Sequence, residues 1–365
     1  NINPDLPLAL RRPLVELVKE FSSIFSDIPG RTTTHEHKIE LIDDQPIRVK
    51  QYPISYAIRD EAVKAVQEML DHGIIEPSDS PFCSPLLMVR KKDSTYRPVI
   101  DFRALNQKTV FDAEPTPNVD DIHVKLAGSH FFSKMDFCKG YWQIPMRPSD
   151  KPKTAFQCPP LGLFAFCTMP FGLVNSMATY SRMMRKVLEG LLNTDNFVDD
   201  VLTYTVSWQD HLDELRRVFQ RVKQAGLTIK PSKCYFGYDT IDFVGHRVGR
   251  DTVKPLPEKI EQVMSATTPT TKKQLRAFLG LIGYYRRYID GFATISAPLT
   301  DALKGGIRTA LNWGPEQTVA FEVLKTKLCS EPVLRLPDLS RPFVLRTDAS
   351  DVGLGSVLLQ EFDDG

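Results

Sequence analysis

The chain has only six cysteines, Cys83, Cys138, Cys158, Cys167, Cys234 and Cys329, with no C-x-x-C pair and no histidine at zinc spacing beside them. That scatter argues against a disulfide framework and against a structural zinc site, and makes a reducing compartment the default. No stretch approaches the roughly 18 consecutive apolar residues that mark a membrane-spanning helix, and the first thirty residues lack a charged segment followed by an apolar one. We therefore expect neither an export signal nor a membrane span. Charge of one sign is also scarce: 46 Lys and Arg stand against 45 Asp and Glu, a net of +1. A polyanionic partner has to be held by local clusters of Lys and Arg, not by the field of the whole molecule.

Proline, by contrast, is plentiful, with 27 among 365 residues. Because proline removes a backbone donor and disfavours helix before it, it divides the chain into short elements, which points to an α+β fold. The length suggests two or three domains. Apolar spacing predicts helices over 5–27, 56–72 and 210–225, with Gly73 and Gly226 as stops, and a strand-like segment over 35–49. The apolar runs Leu86–Val89 and Pro98–Ile100 flank the basic stretch 90–95 and predict a hairpin. Its tip is a candidate phosphate hand, with a solvated turn as the plainer reading. The segment 254–308 holds nine Lys or Arg and four Asp or Glu, which makes it the basic cluster of the chain. There Thr271 and Gln274 have capping-box spacing ahead of a helix over Leu275, Phe278, Leu279, Ile282, Tyr285 and Ile289. Gly280 and Gly283 each weaken that helix by about 1 kcal/mol relative to Ala, tolerable where another helix or a nucleic-acid backbone comes close.

Four Asp-Asp dipeptides occur, at Asp43-Asp44, Asp120-Asp121, Asp199-Asp200 and Asp363-Asp364. Only Asp199-Asp200 is tightly flanked by apolar residues, Phe197-Val198 before and Val201-Leu202 after, as in a hairpin turn whose strands enter a buried sheet. Two carboxylates are poorly tolerated there without cations. Asp136 ends the apolar strand candidate 131–135, at the edge where a ligand is usually placed. Three such oxygens suit hard divalent ions, two of which can activate a hydroxyl nucleophile and stabilise a leaving pyrophosphate. Spacing alone does not dictate that Asp136 joins the later pair.

Five blocks follow in order: Phe132-Ser133-Lys134-Met135-Asp136, Gly140-Tyr141-Trp142-Gln143-Ile144, Lys153-Thr154-Ala155-Phe156, Met169-Pro170-Phe171-Gly172-Leu173 and Phe197-Val198-Asp199-Asp200. Together they resemble the reverse transcriptase of gypsy-type (Metaviridae-like) LTR retrotransposon Pol. The likeness extends outward through Ser84-Pro85, Lys91-Lys92-Asp93, Arg97 and Asp101-Phe102-Arg103-Ala104-Leu105-Asn106, then Phe243-Val244-Gly245-His246, Phe278-Leu279-Gly280 and Tyr284-Tyr285-Arg286-Arg287, over roughly residues 45 to 360. It implies an α+β right-hand polymerase (fingers, palm, thumb) with a ferredoxin-like palm sheet, a connecting segment and an incomplete RNase H-like start. The implied boundaries are 1–45 as N-terminal extension, 46–250 as fingers and palm, 251–310 as thumb, 311–340 as connection and 341–365 as truncated RNase H start.

The resemblance implies an RNA-directed DNA polymerase copying RNA or DNA template by two-metal nucleotidyl transfer. Asp136, Asp199 and Asp200 match its catalytic metal ligands for two Mg²⁺ ions, with Mn²⁺ as substitute. Lys91, Arg97, Phe137, Tyr141 and Phe171 match dNTP-binding positions, with Tyr141 as the ring that excludes a ribose 2′-hydroxyl. Phe243, Val244 and Gly245 match a hairpin that grips the primer end. Gly280 and Tyr284 match thumb positions along the duplex minor groove, with Lys272, Lys273, Arg276, Arg286 and Arg287 meeting phosphates. Asp348, in the block 343–350, matches the first RNase H metal ligand; seventeen residues remain after it, so RNase H activity is not expected. Implied partners are an RNA template, a DNA primer or RNA/DNA hybrid and dNTPs, with a homodimer left open and no membrane; the implied location is cytoplasmic, in virus-like particles, or nuclear. Three departures from the family pattern stand out: Phe197 for tyrosine, Asn175-Ser176-Met177 for Asn-Ala-Pro, and a polar run over 191–196 where the family is apolar. They keep an alternative open, a decayed or host-recruited copy that binds nucleic acid or a protein without polymerising.

Overall fold

The computed structural model describes all residues except 92, 116, 251, 307–308, 331–333, 336, 339–340, 351–352, 362 and 364–365, and the side chains of 334, 335, 348, 350, 353 and 354. The chain divides into two compact units, Asn1–Asn118 with Ser133–Thr203 and Trp208–Gly237, and Val119–Phe132 with Tyr204–Ser207 and Tyr238–Gly365.

In the first unit the segment 1–45 is not a loose extension. The helix Leu8–Glu20 buries Leu14 and Leu17, and Leu6, Phe21, Ile24 and Ile39 join the same core as Phe219, Val222 and Ile229. The stretch over 35–49 is extended but forms only single bridges, His37 to Met146, Leu41 to Thr109 and Arg48 to Cys83. A five-stranded sheet runs in the order Ile75–Pro77, Gly162–Phe166, Phe156–Cys158, Ser84–Arg90 and Tyr96–Ile100. The predicted basic-tipped hairpin is its last pair, antiparallel from Leu86 opposite Ile100 to Arg90 opposite Tyr96.

The second sheet of this chain region has the order Thr194–Phe197, Asp200–Thr205, Phe131–Asp136 and Tyr235–Tyr238. The helix Ser176–Leu188 falls between its first and second strands in sequence, and the helix Trp208–Gln224 between its third and fourth. This is the β-α-β-β-α-β arrangement of a ferredoxin-like sheet, and both helices turn apolar residues, among them Met183, Met184, Leu215 and Phe219, into the core. The polar run over 191–196 has its own logic: Thr194 and Thr203 share a hydroxyl bond of 3.1 Å across the hairpin. The fully buried Glu214 accepts from the Asn193 N–H (3.0 Å) and the Thr194 hydroxyl (3.3 Å). Buried polar groups are tolerated when partnered in this way.

In the second unit the strands Thr240–Phe243, His246–Gly249 and Thr252–Pro255 form an antiparallel meander extended by Leu334–Arg335. The helix Lys272–Tyr284 starts on the predicted capping box, Thr271 and Gln274 bonding reciprocally. The stretch expected as a connection supplies the helix Pro315–Cys329, whose Phe321 ring lies 4.5 Å from that of Phe278. Val344–Ser350 and Gly353–Leu359 pair as a hairpin; Asp348 lies on its first strand, with its side chain outside the described residues.

Candidate active site

Phe197 pairs with Asp200, so Val198 and Asp199 alone make the turn. Val198 has φ +55°, a left-handed conformation that costs a β-branched residue about 1–3 kcal/mol. The Asn196 side chain donates to the Val198 carbonyl at 3.1 Å and braces the turn. Asp199 is exposed at its tip. Asp136 ends the neighbouring strand, and because the His130 N–H donates to the Thr205 carbonyl at the far ends of the two strands, they run antiparallel and bring Asp136 and Asp200 to the same edge.

Two lysines face these carboxylates. The Lys233 ammonium lies 2.9 Å from Asp136 Oδ2 and that of Lys134 lies 3.2 Å from Asp200 Oδ1. Burial raises the Asp200 pKa above the ordinary carboxylate value, with Lys134 opposing and the charges of Asp199 and Asp136 adding to the rise. The Lys233 pKa is raised, first by its bond to Asp136 and further by the fields of Asp136, Asp199 and Asp200. Three carboxylates thus share one electrostatic environment, an all-oxygen donor set that fits hard divalent cations. Among the described residues no three acidic, His or Cys side chains already close around an ion position; the ion pairs to Lys233 and Lys134 hold two of these carboxylates.

Beside them the Tyr141 ring stacks on Phe171, with centroids 5.1 Å apart and planes 26° from parallel. Phe171 is 54% exposed while Tyr141 is half-buried, so the pair forms a small aromatic platform with one open side. Burial raises the Tyr141 pKa, and the charge of Asp199 adds to the rise. Phe137, expected at the nucleotide, is buried in the core. Lys91 and Arg97 are exposed on the hairpin, whose tip closes through the Lys91 N–H to the Thr95 carbonyl at 2.7 Å.

In the second unit the Phe243–His246 turn is made by Val244 at φ +41° and Gly245 at φ +75°. Phe243 is fully buried, and both turn carbonyls are tied: the Tyr284 hydroxyl donates to that of Val244 and the Tyr285 hydroxyl to that of Gly245, each at 2.7 Å. Tyr284, expected along a minor groove, therefore braces the Phe243–His246 turn through its hydroxyl, with the residue still 47% exposed. Lys272, expected at phosphate, is instead buried, its ammonium donating to the Lys304 carbonyl at 2.5 Å and the Thr309 hydroxyl at 2.6 Å. Arg287 is ion-paired with Asp120. Lys273, Arg276 and Arg286 are exposed. A methyl group at Gly280 would meet no atom within 4 Å, so packing within the described chain does not account for that glycine.

Sequence reasoning missed Lys134, Lys233 and Asn196. Lys233 is nearly one hundred residues from Asp136, and no local pattern reports such a pairing. A ferredoxin-like sheet with one strand-end aspartate and an Asp-Asp turn at one edge has the form of the palm that the sequence resemblance implies. Residues 89–248 match the reverse transcriptase (RNA-dependent DNA polymerase) family, and residues 313–365 match the RNase H-like domain found in reverse transcriptase. Residues 89–248 accordingly form a reverse transcriptase domain of the kind that retrotransposon Pol polyproteins carry, from a family whose members generally use divalent metal ions.

Among relatives, the Pol polyprotein of the Drosophila melanogaster transposon 297 is 40% identical over 337 residues, 90% of this chain and 32% of the relative. That of the Drosophila transposon gypsy is 33% identical over 366 residues, 95% of this chain and 35% of the relative. The chain thus spans about a third of the length of these relatives. The solved foamy viral protease-reverse transcriptase in complex with double-stranded DNA has the same fold, with a TM-score of 0.88 at 22% identity over 95% of this chain and 62% of that one. The foamy viral enzyme in complex with an RNA/DNA hybrid gives 0.85 at 21% identity, over 98% and 51%.

Proposed function

We propose that this chain extends a primer on an RNA or DNA template with dNTPs, using Asp136, Asp199 and Asp200 to hold two Mg²⁺ ions, for which Mn²⁺ can substitute. The observation that carries this reading is the gathering of Asp136 and the strained Asp199-Asp200 turn at one sheet edge. When bound, the ions supply Lewis acidity at the primer 3′ hydroxyl and neutralise the leaving pyrophosphate. The chain's own part is placement: the strained turn fixes Asp199, the strand end fixes Asp136, and Lys91 and Arg97 bring positive charge to the triphosphate. The foamy viral complexes with duplex DNA and RNA/DNA hybrid support a duplex substrate. Primer extension on an RNA template with Mg²⁺ tests the reading; binding of template-primer without extension would favour the decayed or host-recruited alternative.

Tyr141, backed by Phe171, is the proposed gate against ribonucleotides, since a ring beneath C2′ clashes with a hydroxyl and not with hydrogen. Tyr141→Ala is expected to reduce the dNTP-over-rNTP preference by at least about tenfold, the effect of roughly 1.4 kcal/mol of lost steric discrimination. An unchanged preference with polymerisation intact removes the assignment.

The proposed duplex footing rests on Lys273, Arg276 and Arg286, with Gly280 leaving room for a close backbone. Neutralising Lys273 and Arg276 together is expected to flatten the slope of log affinity against log salt by up to about 0.9 per lost phosphate contact, with the melting temperature unchanged. Lys272→Met should do the reverse, lowering the melting temperature because its buried ammonium holds the Lys304 carbonyl and the Thr309 hydroxyl. An unchanged salt slope in the double variant would make that face merely solvated.

A further inference from the structure

Phe171 is an exposed ring on an irregular loop, so burial does not fix where it points. The loop leaves the core where the Met169 N–H donates to the Ile144 carbonyl at 2.8 Å and ends at the helix Ser176–Leu188. Within it Gly172 takes φ +93°, a region that glycine enters freely and that restricts the backbone least. A ring that is to stay stacked on Tyr141 needs the loop fastened by other means.

The fastening comes from a side chain distant in sequence. Asn106 Nδ2 donates to the Gly172 carbonyl at 2.8 Å, and Asn106 Oδ1 accepts from the Val174 N–H at 2.9 Å. A side-chain amide carries both donor and acceptor, so it closes on both groups at once, as a paired strand does; a carboxylate offers acceptors only. Asn106 is itself held in the helix Arg103–Lys108, its N–H donating to the carbonyl of the buried Phe102 at 2.7 Å. On the other side of Phe171 the Ser176 hydroxyl donates to the Pro170 carbonyl at 3.1 Å, a bond closed to the alanine of the family pattern. Asn175 returns the clasp: its Nδ2 donates to the Val110 carbonyl at 2.7 Å and its Oδ1 accepts from the Asp112 N–H at 3.0 Å. Two asparagine amides thus bind the loop and the segment after the helix to each other.

We propose that Asn106 is a positioning residue for nucleotide binding, holding the Phe171 ring against Tyr141 through its bonds to Gly172 and Val174. The proposal rests on the reading above that Tyr141, backed by Phe171, meets the incoming dNTP. The helix bearing Asn106 follows the strand Tyr96–Ile100, which carries Arg97, so the same clasp joins the triphosphate side of the proposed pocket to its ring side. Both bonds lie at the surface, where water satisfies the freed backbone groups once the amide is gone. Loss of Asn106 therefore loosens the loop without leaving a buried polar group unpaired.

The test is single-nucleotide extension by the whole chain on a template-primer, with dNTP KM, kcat and melting temperature read for Asn106→Ala, Phe171→Ala and the double variant. Asn106→Ala is expected to raise the dNTP KM about tenfold, the worth of one to two net hydrogen bonds. Its kcat should fall less than about threefold and its melting temperature stay within about 4 °C of wild type. In the Phe171→Ala background the same substitution should change KM by less than about twofold, because a clasp acting through the ring has no ring left to place. An unchanged KM in Asn106→Ala, or its full effect in both backgrounds, overturns the assignment. So does a KM change accompanied by a larger fall in melting temperature, which would mark a general loss of structure. A wild-type KM in Phe171→Ala is a different failure: the ring then takes no part in dNTP binding, and the assignment falls with that reading. A wild-type chain that binds template-primer without extending it removes both.

Discussion

Asp199→Asn is expected to lower primer extension on the order of a thousandfold while leaving stability within about 0.5 kcal/mol. The stability half follows from exposure: Asp199 sits at the tip of its turn, and exposed substitutions away from special backbone positions are usually that mild. The residue under strain is its neighbour Val198, whose φ the substitution does not touch. The activity half follows from what asparagine removes. It keeps the size and one carbonyl oxygen but loses the charge, which the proposed metal site needs. Loss of an outer hydrogen bond to a metal ligand already costs about 10- to 100-fold, so loss of a direct ligand should exceed that. Single-turnover extension with saturating dNTP, together with thermal melting, checks both halves. Residual extension within tenfold of wild type would mean that Asp199 holds no ion.

The features legible in the sequence were those carried by local pattern. Apolar residues on both sides of Asp199-Asp200 announce a hairpin, and the observed pairing is one, its second strand buried continuously from Val201 to Thr205. The capping box at Thr271 and Gln274 is likewise a four-residue signal, and it forms. The strand ending at Asp136 and the basic-tipped hairpin were legible for the same reason. What escaped depends on partners distant in the chain. Lys272 looks like any thumb lysine until its ammonium meets the Lys304 carbonyl and the Thr309 hydroxyl. Tyr284 looks like a groove residue until its hydroxyl meets the Val244 carbonyl. The polar run over 191–196 reads as a defect only while Glu214, on a later helix, is left out. The N-terminal residues gave an amphipathic period but not what it packs on, since a helix's apolar face says that a partner exists and not which one.

That last omission carries the second large prediction. Gly226 reads in sequence as a helix stop, and its φ of +69° fits that role. The structure adds that a methyl group at Gly226 would lie 2.6 Å from the Arg31 carbonyl oxygen, and one at Gly30 would lie 2.4 Å from that of Gly226. Both obstacles are backbone, so no side-chain rotation relieves them. The Gly30 N–H donates to the Thr228 hydroxyl at 2.8 Å, and Gln143 bonds both sides of the Thr228 peptide through its N–H and carbonyl, which fixes the crossing in place. Gly226→Ala is therefore expected to destabilise the first unit by about 2 to 6 kcal/mol, combining left-handed strain with overpacking. Gly73→Ala is the control: its φ is +64° but a methyl group there meets nothing within 4 Å, so it should lose only about 1 to 3 kcal/mol. Denaturant midpoints of the two variants separate the contributions. Equal midpoints would show that the N-terminal segment yields at the crossing, and that residues 1–45 pack on the unit without being required by it.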